Sequence, residues 1–158
     1  MRRSKPDVTD PAACERAALD LLARREHSRR ELERKLGARG FPDEMIAATL
    51  DALERSGELA ATRFTESFIR ARAAKGQGPA RIRAELAERG IDREQAAELL
   101  RAAAIDWAAV ASSVRDKRFG ARPPTDFKER ARQARFLEYR GFESGEIGRA
   151  LGSRDDLD

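Results

Sequence analysis

The side chains from which catalytic sites are usually built are scarce in this chain of 158 residues, which holds one histidine, His27, and one cysteine, Cys14. A single member of each cannot assemble a zinc site in its usual combinations, nor a cysteine and histidine pair supported by a second histidine. The stretch Gly76-Gln77-Gly78-Pro79 has the glycines of a phosphate-cradling loop but not the lysine followed by serine or threonine that a Walker loop requires, so its glycines read as serving a turn. Carboxylates are abundant, yet they sit at ion-pair spacings on helix faces, as Glu33 does four residues from Arg29, and no pair poised for acid and base work stands out. No catalytic residue, cofactor or metal is expected, and the residues point away from an enzyme.

What remains is guanidinium chemistry. Of 32 basic residues 27 are arginines, although the formal net charge is only +4. The planar guanidinium fork grips phosphate or carboxylate at two points, which a lysine ammonium cannot do. From Arg70 to Arg83 there are five cations, Arg70, Arg72, Lys75, Arg81 and Arg83, and no acid. A second enrichment, from Arg115 to Arg140, includes Arg115, Lys117, Arg118, Lys128, Arg132 and Arg135, and a weaker one runs from Arg24 to Lys35. Single arginines are ordinarily solvated partners of nearby acids. The acid-free stretch around Gly76 reads instead as a docking surface for a polyanion or an acidic protein, because neutralising neighbours are missing from the local sequence. Phe119 and Phe127, close to basic residues, offer rings on which bases can stack, although burial is the default for such side chains.

These cations must be positioned by helices. The triplet Arg39-Gly40-Phe41 recurs as Arg89-Gly90-Ile91 and Arg140-Gly141-Phe142, so the glycines stand 50 and 51 residues apart, with a leucine four residues before each (Leu36, Leu86, Leu137) and another ten after it (Leu50, Leu100, Leu151). A period of this length indicates an array of like units. Each glycine fits the left-handed position just past a helix, with the next apolar residue folding back on the last turn. Asp43, Asp92 and Ser144 suit the starts of the helices that follow. Upstream, Ser28 and Glu31 have the spacing of a capping box, Pro79 fits a first helical turn, and Thr125 and Asp126 predict a longer middle helix in the third unit. Apolar residues at helical intervals place a further helix at about 12–25, 62–75 and 105–118. The expected fold is all-α, an elongated array of three tandem three-helix repeats at 12–59, 60–104 and 105–152, flanked by a flexible extension at 1–11, carrying Arg2, Arg3 and Lys5, and an acidic tail at 153–158 with Asp155, Asp156 and Asp158. Gln133 falls where the first two units have Leu32 and Ile82, which predicts that the third unit's middle helix turns a different face inward.

Composition narrows the setting. With 41% hydrophobic and 6% aromatic residues spread over three units, the cores must be small and built largely from leucine and alanine. No apolar run approaches the 18 or so residues that cross a membrane, and an apolar signal core is missing from the N-terminus. A lone cysteine excludes an internal disulfide framework and agrees with a reducing, cytoplasmic setting. A monomer is expected.

The chain resembles the RecX regulatory family in three fragments that keep one register. Phe64, Phe68, Arg72, Lys75, Gly76, Gly78, Pro79, Ile82, Leu86, Arg89 and Gly90 are similar to that family's central repeat. Lys117, Arg118, Phe119, Lys128, Arg132, Gln133, Arg135, Phe136, Leu137, Arg140, Gly141 and Phe142 resemble its C-terminal signature, and Leu19, Ser28, Glu31, Leu32 and Leu36 its first repeat, so the match spans about residues 12–151. The resemblance implies a helical modulator of RecA, the recombinase that polymerises on single-stranded DNA. It implies binding to that nucleoprotein filament, with the DNA inside it as a further contact, and inhibition or modulation of RecA activities, namely ATP hydrolysis, strand exchange and filament extension, in homologous recombination, DNA repair and the SOS response. Two other readings of the residues stand beside it, a helix-turn-helix-like DNA-binding protein and a helical protein-protein adaptor. The first fits less well, since the third helices open on Pro42, Asp43, Glu44 and on Asp92, Arg93, Glu94, whose carboxylates repel phosphate.

Overall fold

A computed structural model describes residues 4–152. Arg2 and Arg3 of the expected extension, and the acidic Asp155, Asp156 and Asp158, lie outside the described residues. Among those described there are nine helices and no strand: α1 Pro11–Arg24, α2 Arg29–Ala38, α3 Asp43–Ser56, α4 Ala61–Ala74, α5 Pro79–Glu88, α6 Arg93–Ala102, α7 Trp107–Phe119, α8 Phe127–Tyr139 and α9 Ser144–Leu151. The architecture is an all-α tandem three-helix repeat. The described residues divide into two compact units, unit 1 comprising residues 4–67 and 88–91, and unit 2 comprising residues 68–87 and 92–152.

Local sequence sets the helix boundaries. The carboxylate of Asp10 accepts from the backbone N–H of Ala12 (3.0 Å), that of Asp92 from Gln95 (3.1 Å), that of Asp106 from Ala109 (3.0 Å) and that of Asp126 from Glu129 (2.8 Å). Each satisfies an amide that a helix start leaves without an intrahelical partner. The Asp126 cap gives the longer middle helix of the third repeat, 13 residues against 10 in α2 and α5. Ser28 caps α2 through Glu31 N–H (3.2 Å), but Glu31 does not complete the expected box: its carboxylate binds Arg25 and Arg89 instead. Asp43 and Ser144 are first helical residues, behind Pro42 and Glu143 as caps.

The repeated glycines are left-handed, at φ +96° for Gly40, +79° for Gly90 and +96° for Gly141. At the last of these, Gly141 N–H donates to the Glu138 carbonyl (2.9 Å) and Phe142 N–H to that of Leu137 (3.1 Å), the paired bonds of a glycine-terminated helix. Phe142 thereby folds into the core.

In unit 1, α1, α2 and α3 pack around Leu21, Leu32, Leu36, Phe41, Ile46, Leu50 and Leu53. In unit 2, α7, α8 and α9 pack around Ala111, Val114, Leu137, Phe142 and Leu151, with Trp107 and Phe136 partly covered. Burying a leucine of this kind contributes about 1.5–3 kcal/mol, so cores this small depend on every member. Gln133 corrects the sequence expectation for α8. It is 3% exposed and points inward, as the fully buried Leu32 and Ile82 do, so α8 keeps the register of α2 and α5. Its amide is tolerated because Nε2 donates to Glu129 (3.1 Å) and Oε1 accepts from Arg115 (3.4 Å).

Candidate anion-binding groove

The cations of the two stronger runs, Arg70 to Arg83 and Arg115 to Arg140, belong to unit 2, and the weaker run from Arg24 to Lys35 belongs to unit 1. The stretch from Arg70 to Arg83 lacks acids in its own sequence, yet folding supplies them. Glu85 lies 3.4 Å from Arg72 Nε and 3.5 Å from Arg81 Nε, while Glu143 pairs with Arg83. Arg72 also stacks on Phe68, its Cζ 4.6 Å from the ring centre. Arg70 and Lys75 are exposed. Arg115 departs furthest from the surface role expected of it. It is 4% exposed, and its guanidinium donates to Asp116, to the carbonyls of Gly120, Ala121 and Arg122, and to Gln133. Those acceptors occupy its donors, so Arg115 fixes the α7–α8 connection and is withdrawn from ligand binding.

Of the remaining predicted cations, Lys75, Lys117 and Arg118 meet at a groove of about 560 Å3 where the end of α4, α7 and the end of α8 converge, whereas Arg70, Lys128, Arg132 and Arg135 do not line it. Lys75, Lys117, Arg118 and Arg140 line it over an apolar floor of Val110, Val114 and Phe136, and no carboxylate contributes to its wall. Backbone docking builds this site. Gly78 N–H donates to the Arg140 carbonyl (2.8 Å) and Ala80 N–H to that of Gly141 (3.0 Å), seating the α4–α5 turn on the α8–α9 turn. Arg140 Nη2 adds a bond to the Lys75 carbonyl (3.3 Å). A Cβ on Gly78 would collide with the Gly141 carbonyl, and one on Gly141 would lie 2.7 Å from Arg81 N, so both glycines are required by the close approach.

Beside the groove, guanidinium groups and rings alternate. Arg132 lies 5.1 Å from the centre of Phe119, Arg118 lies 6.0 Å from Phe119 and 5.8 Å from Phe136, and Arg140 lies 5.8 Å from Phe136. The two rings meet edge to face at 5.3 Å. Stacking on ring faces stabilises each cation by about 0.5–2 kcal/mol and restrains its plane, leaving N–H edges to receive an oxyanion. Only Arg132 of the three has a carboxylate within ion-pair distance among the described residues, Glu129 at 3.3 Å. Phe119 therefore belongs to this stack, whereas Phe127 is exposed, as are Lys128 and Arg135. Arg140 closes the second enrichment in the sequence but is not among the binding residues expected from it, and it completes the groove. Its signal in the sequence is that an arginine precedes each repeated glycine.

Unit 1 carries a separate polar cluster. His27, 2% exposed, donates from Nδ1 to the Arg25 carbonyl (3.0 Å) and accepts at Nε2 from Lys35 Nζ (3.0 Å). Burial above all, helped by the charges of Arg25 and Lys35, holds its pKa below the usual imidazole value. Burial opposes ionisation of Glu31, but hydrogen bonds and charge from Arg25, with Arg89, outweigh it and lower its pKa. Among the described residues no cluster of His, Cys, Asp and Glu could hold a metal ion, and no helix is long and apolar enough to cross a membrane.

Nine helices in tandem threes among the described residues, with a cation-lined groove in unit 2, define an all-α repeat protein. Three domain families match in order, described as the first three-helix domain of RecX over residues 14–53, the second over 62–100 and the third over 105–151. The chain belongs to the RecX family. It is 51% identical over 148 residues to "Regulatory protein RecX" of Pseudomonas entomophila strain L48, covering 94% of this chain and 96% of that one. The protein of the same name from Pseudomonas syringae pv. tomato is 48% identical over 150 residues, 94% of this chain and 97% of its own. Among solved structures, RecX from Lactobacillus salivarius superimposes with a TM-score of 0.73 at 20% identity, covering 89% of this chain and 94% of that one. A second crystal structure, of regulatory protein RecX, gives 0.74 at 20% identity over 86% of this chain and 70% of that one. At that identity the likeness bears on the fold.

Proposed function

We propose that this protein binds the filament that RecA forms on single-stranded DNA and restrains its activities, namely ATP hydrolysis, strand exchange and filament extension, and that the unit 2 groove is a principal contact. The observation that carries this reading is the groove wall, where Lys75, Lys117, Arg118 and Arg140 meet with no carboxylate among them. Such a site offers a concentrated positive potential to an acidic protein surface or a phosphate chain. Restraint of a polymer needs no bond chemistry, because binding one state of the filament more tightly than another shifts its equilibrium by that difference. Several modest contacts made by one chain reinforce each other through effective concentration.

Titrating the protein into RecA hydrolysing ATP on single-stranded DNA tests this reading. Reversing charge at Lys75, Lys117 and Arg118 together is expected to raise the concentration needed for half-inhibition at least about 10-fold, roughly 1.4 kcal/mol, with unchanged helix content by circular dichroism. Inhibition equal to that of the parent protein would remove the groove from the contact.

A further inference from the structure

We propose that unit 1 holds a second anion site, a cleft of about 290 Å3 whose arginines Arg30, Arg34 and Arg89 receive one phosphate of a nucleic-acid backbone. The inference goes beyond the filament reading, which places the contact in unit 2, and does not depend on it. The cleft lies between the exposed face of α2 and the turn that follows α5, the segment 88–91 that belongs to unit 1. Arg30 and Arg34 stand one helical turn apart on α2, so their side chains share a face.

Two of the three guanidinium groups are fixed before any ligand arrives. Arg89 Nε donates to Glu31 Oε1 (3.0 Å), and Arg30 Nη1 donates to the Glu88 carbonyl (3.1 Å). The stem of Arg30 lies across Gly90, its Cβ 3.6 Å from where a Cβ on that glycine would stand. Glu31 and Glu88 also line the cleft. The Glu31 charge is shared by Arg89 and by Arg25, whose Nη1 lies 2.9 Å from its other oxygen, and it cannot also neutralise Arg34. No carboxylate of the described residues is within ion-pair distance of Arg34 or Arg30. Three guanidinium groups against two carboxylates leave the cleft net positive, and the fork of Arg34 complements the charge of a phosphate, which it can grip at two points. The groove of unit 2 is lined by the arginine of the same repeated triplet, Arg140, in the way that Arg89 lines this cleft.

The test measures binding of a fluorescent oligothymidylate, without RecA, across a salt series. Each phosphate contact on a single strand contributes about 0.7 to the slope of log K against log salt. Arg34→Gln, at an exposed position, is expected to lower that slope by part of this amount and Arg30→Gln with Arg34→Gln by the full contribution of one phosphate, about 0.7, while Arg34→Lys restores the slope. Inorganic phosphate is expected to compete with the oligonucleotide in the parent protein and less well in the Arg34→Gln variant. An unchanged slope in correctly folded Arg34→Gln would overturn the site, and so would polyglutamate binding with the same dependence on Arg34. If reversal at Lys117 and Arg118 lowers the slope while Arg34→Gln does not, the unit 1 cleft is wrong and the unit 2 groove stands.

Discussion

The guanidinium of Arg115 ties α7 to the chain that leads into α8, through the carbonyls of Gly120, Ala121 and Arg122 and the amide of Gln133. Arg115→Ala is expected to destabilise the protein by about 2–3 kcal/mol in urea unfolding, since it strands a buried amide and several carbonyls. A loss under 0.5 kcal/mol would contradict the role assigned to it. His27 adds a pH dependence of definite sign. Its neutral form is held between the Arg25 carbonyl and Lys35, with Arg25 and Glu31 as its other charged neighbours, and its folded pKa lies below 6.5. The unfolded chain therefore binds a proton first. Stability from this group is complete above pH 6.5 and falls as pH drops from there toward the lowered folded value. The urea midpoint is expected to decline between pH 7.5 and pH 5.5, and His27→Gln to flatten that decline; equal slopes would show that His27 is not its source. Neither role was legible in the sequence. A single histidine carries no sign of what surrounds it, and Arg115 lies in a charge run that gives no hint of which member turns inward.

At the level of elements, the turns do more than end helices. Gly141 combines a φ of +96° with contact against Arg81, and its carbonyl accepts from Ala80 at the start of α5. The repeated glycines were legible because left-handed geometry leaves a sequence mark. Their service as docking points was not, because the approaching partner is about 60 residues away in the chain, as Ala80 is from Gly141. Helix starts were read well where an aspartate or serine caps directly, at Ser28, Asp92 and Asp126, and less well at Glu31, whose carboxylate is drawn away by Arg25 and Arg89. Gln133 misled for a related reason. A polar residue in a core frame suggests a rotated helix unless its partner is known, and the partner is the buried Arg115. One turn retains strain. Past α6 the residue at positive φ is Ala104, at +51°, whereas Gly57 and Gly152 fill that role after α3 and α9. Ala104→Gly is expected to stabilise the protein by about 0.5–1 kcal/mol, the relief of the Cβ exceeding the entropy that glycine adds to the unfolded chain. A lower melting temperature in that variant would contradict it.

For the molecule as a whole, the distribution of charge matters more than its total of +4. The helical repeat could be read from the sequence because its period is carried by glycine and leucine. The groove could be read only in outline. Its cations come from α7 and from the turns that follow α4 and α8, and which of them meet depends on backbone docking. Arg72 and Arg81 pair with Glu85, and docking hands Arg83 to Glu143, so charge reversal at those arginines is expected to lower stability as well as binding, while reversal at Lys75, Lys117 and Arg118 isolates binding. The most direct measurement is fluorescence anisotropy of the labelled protein against preassembled RecA filaments on single-stranded DNA, for the parent and the Lys75, Lys117, Arg118 charge-reversed variant at matched salt. The account predicts saturable binding by the parent and at least about 10-fold weaker binding by the variant, about 1.4 kcal/mol. Equal affinity for the two proteins, with helix content preserved, would contradict it.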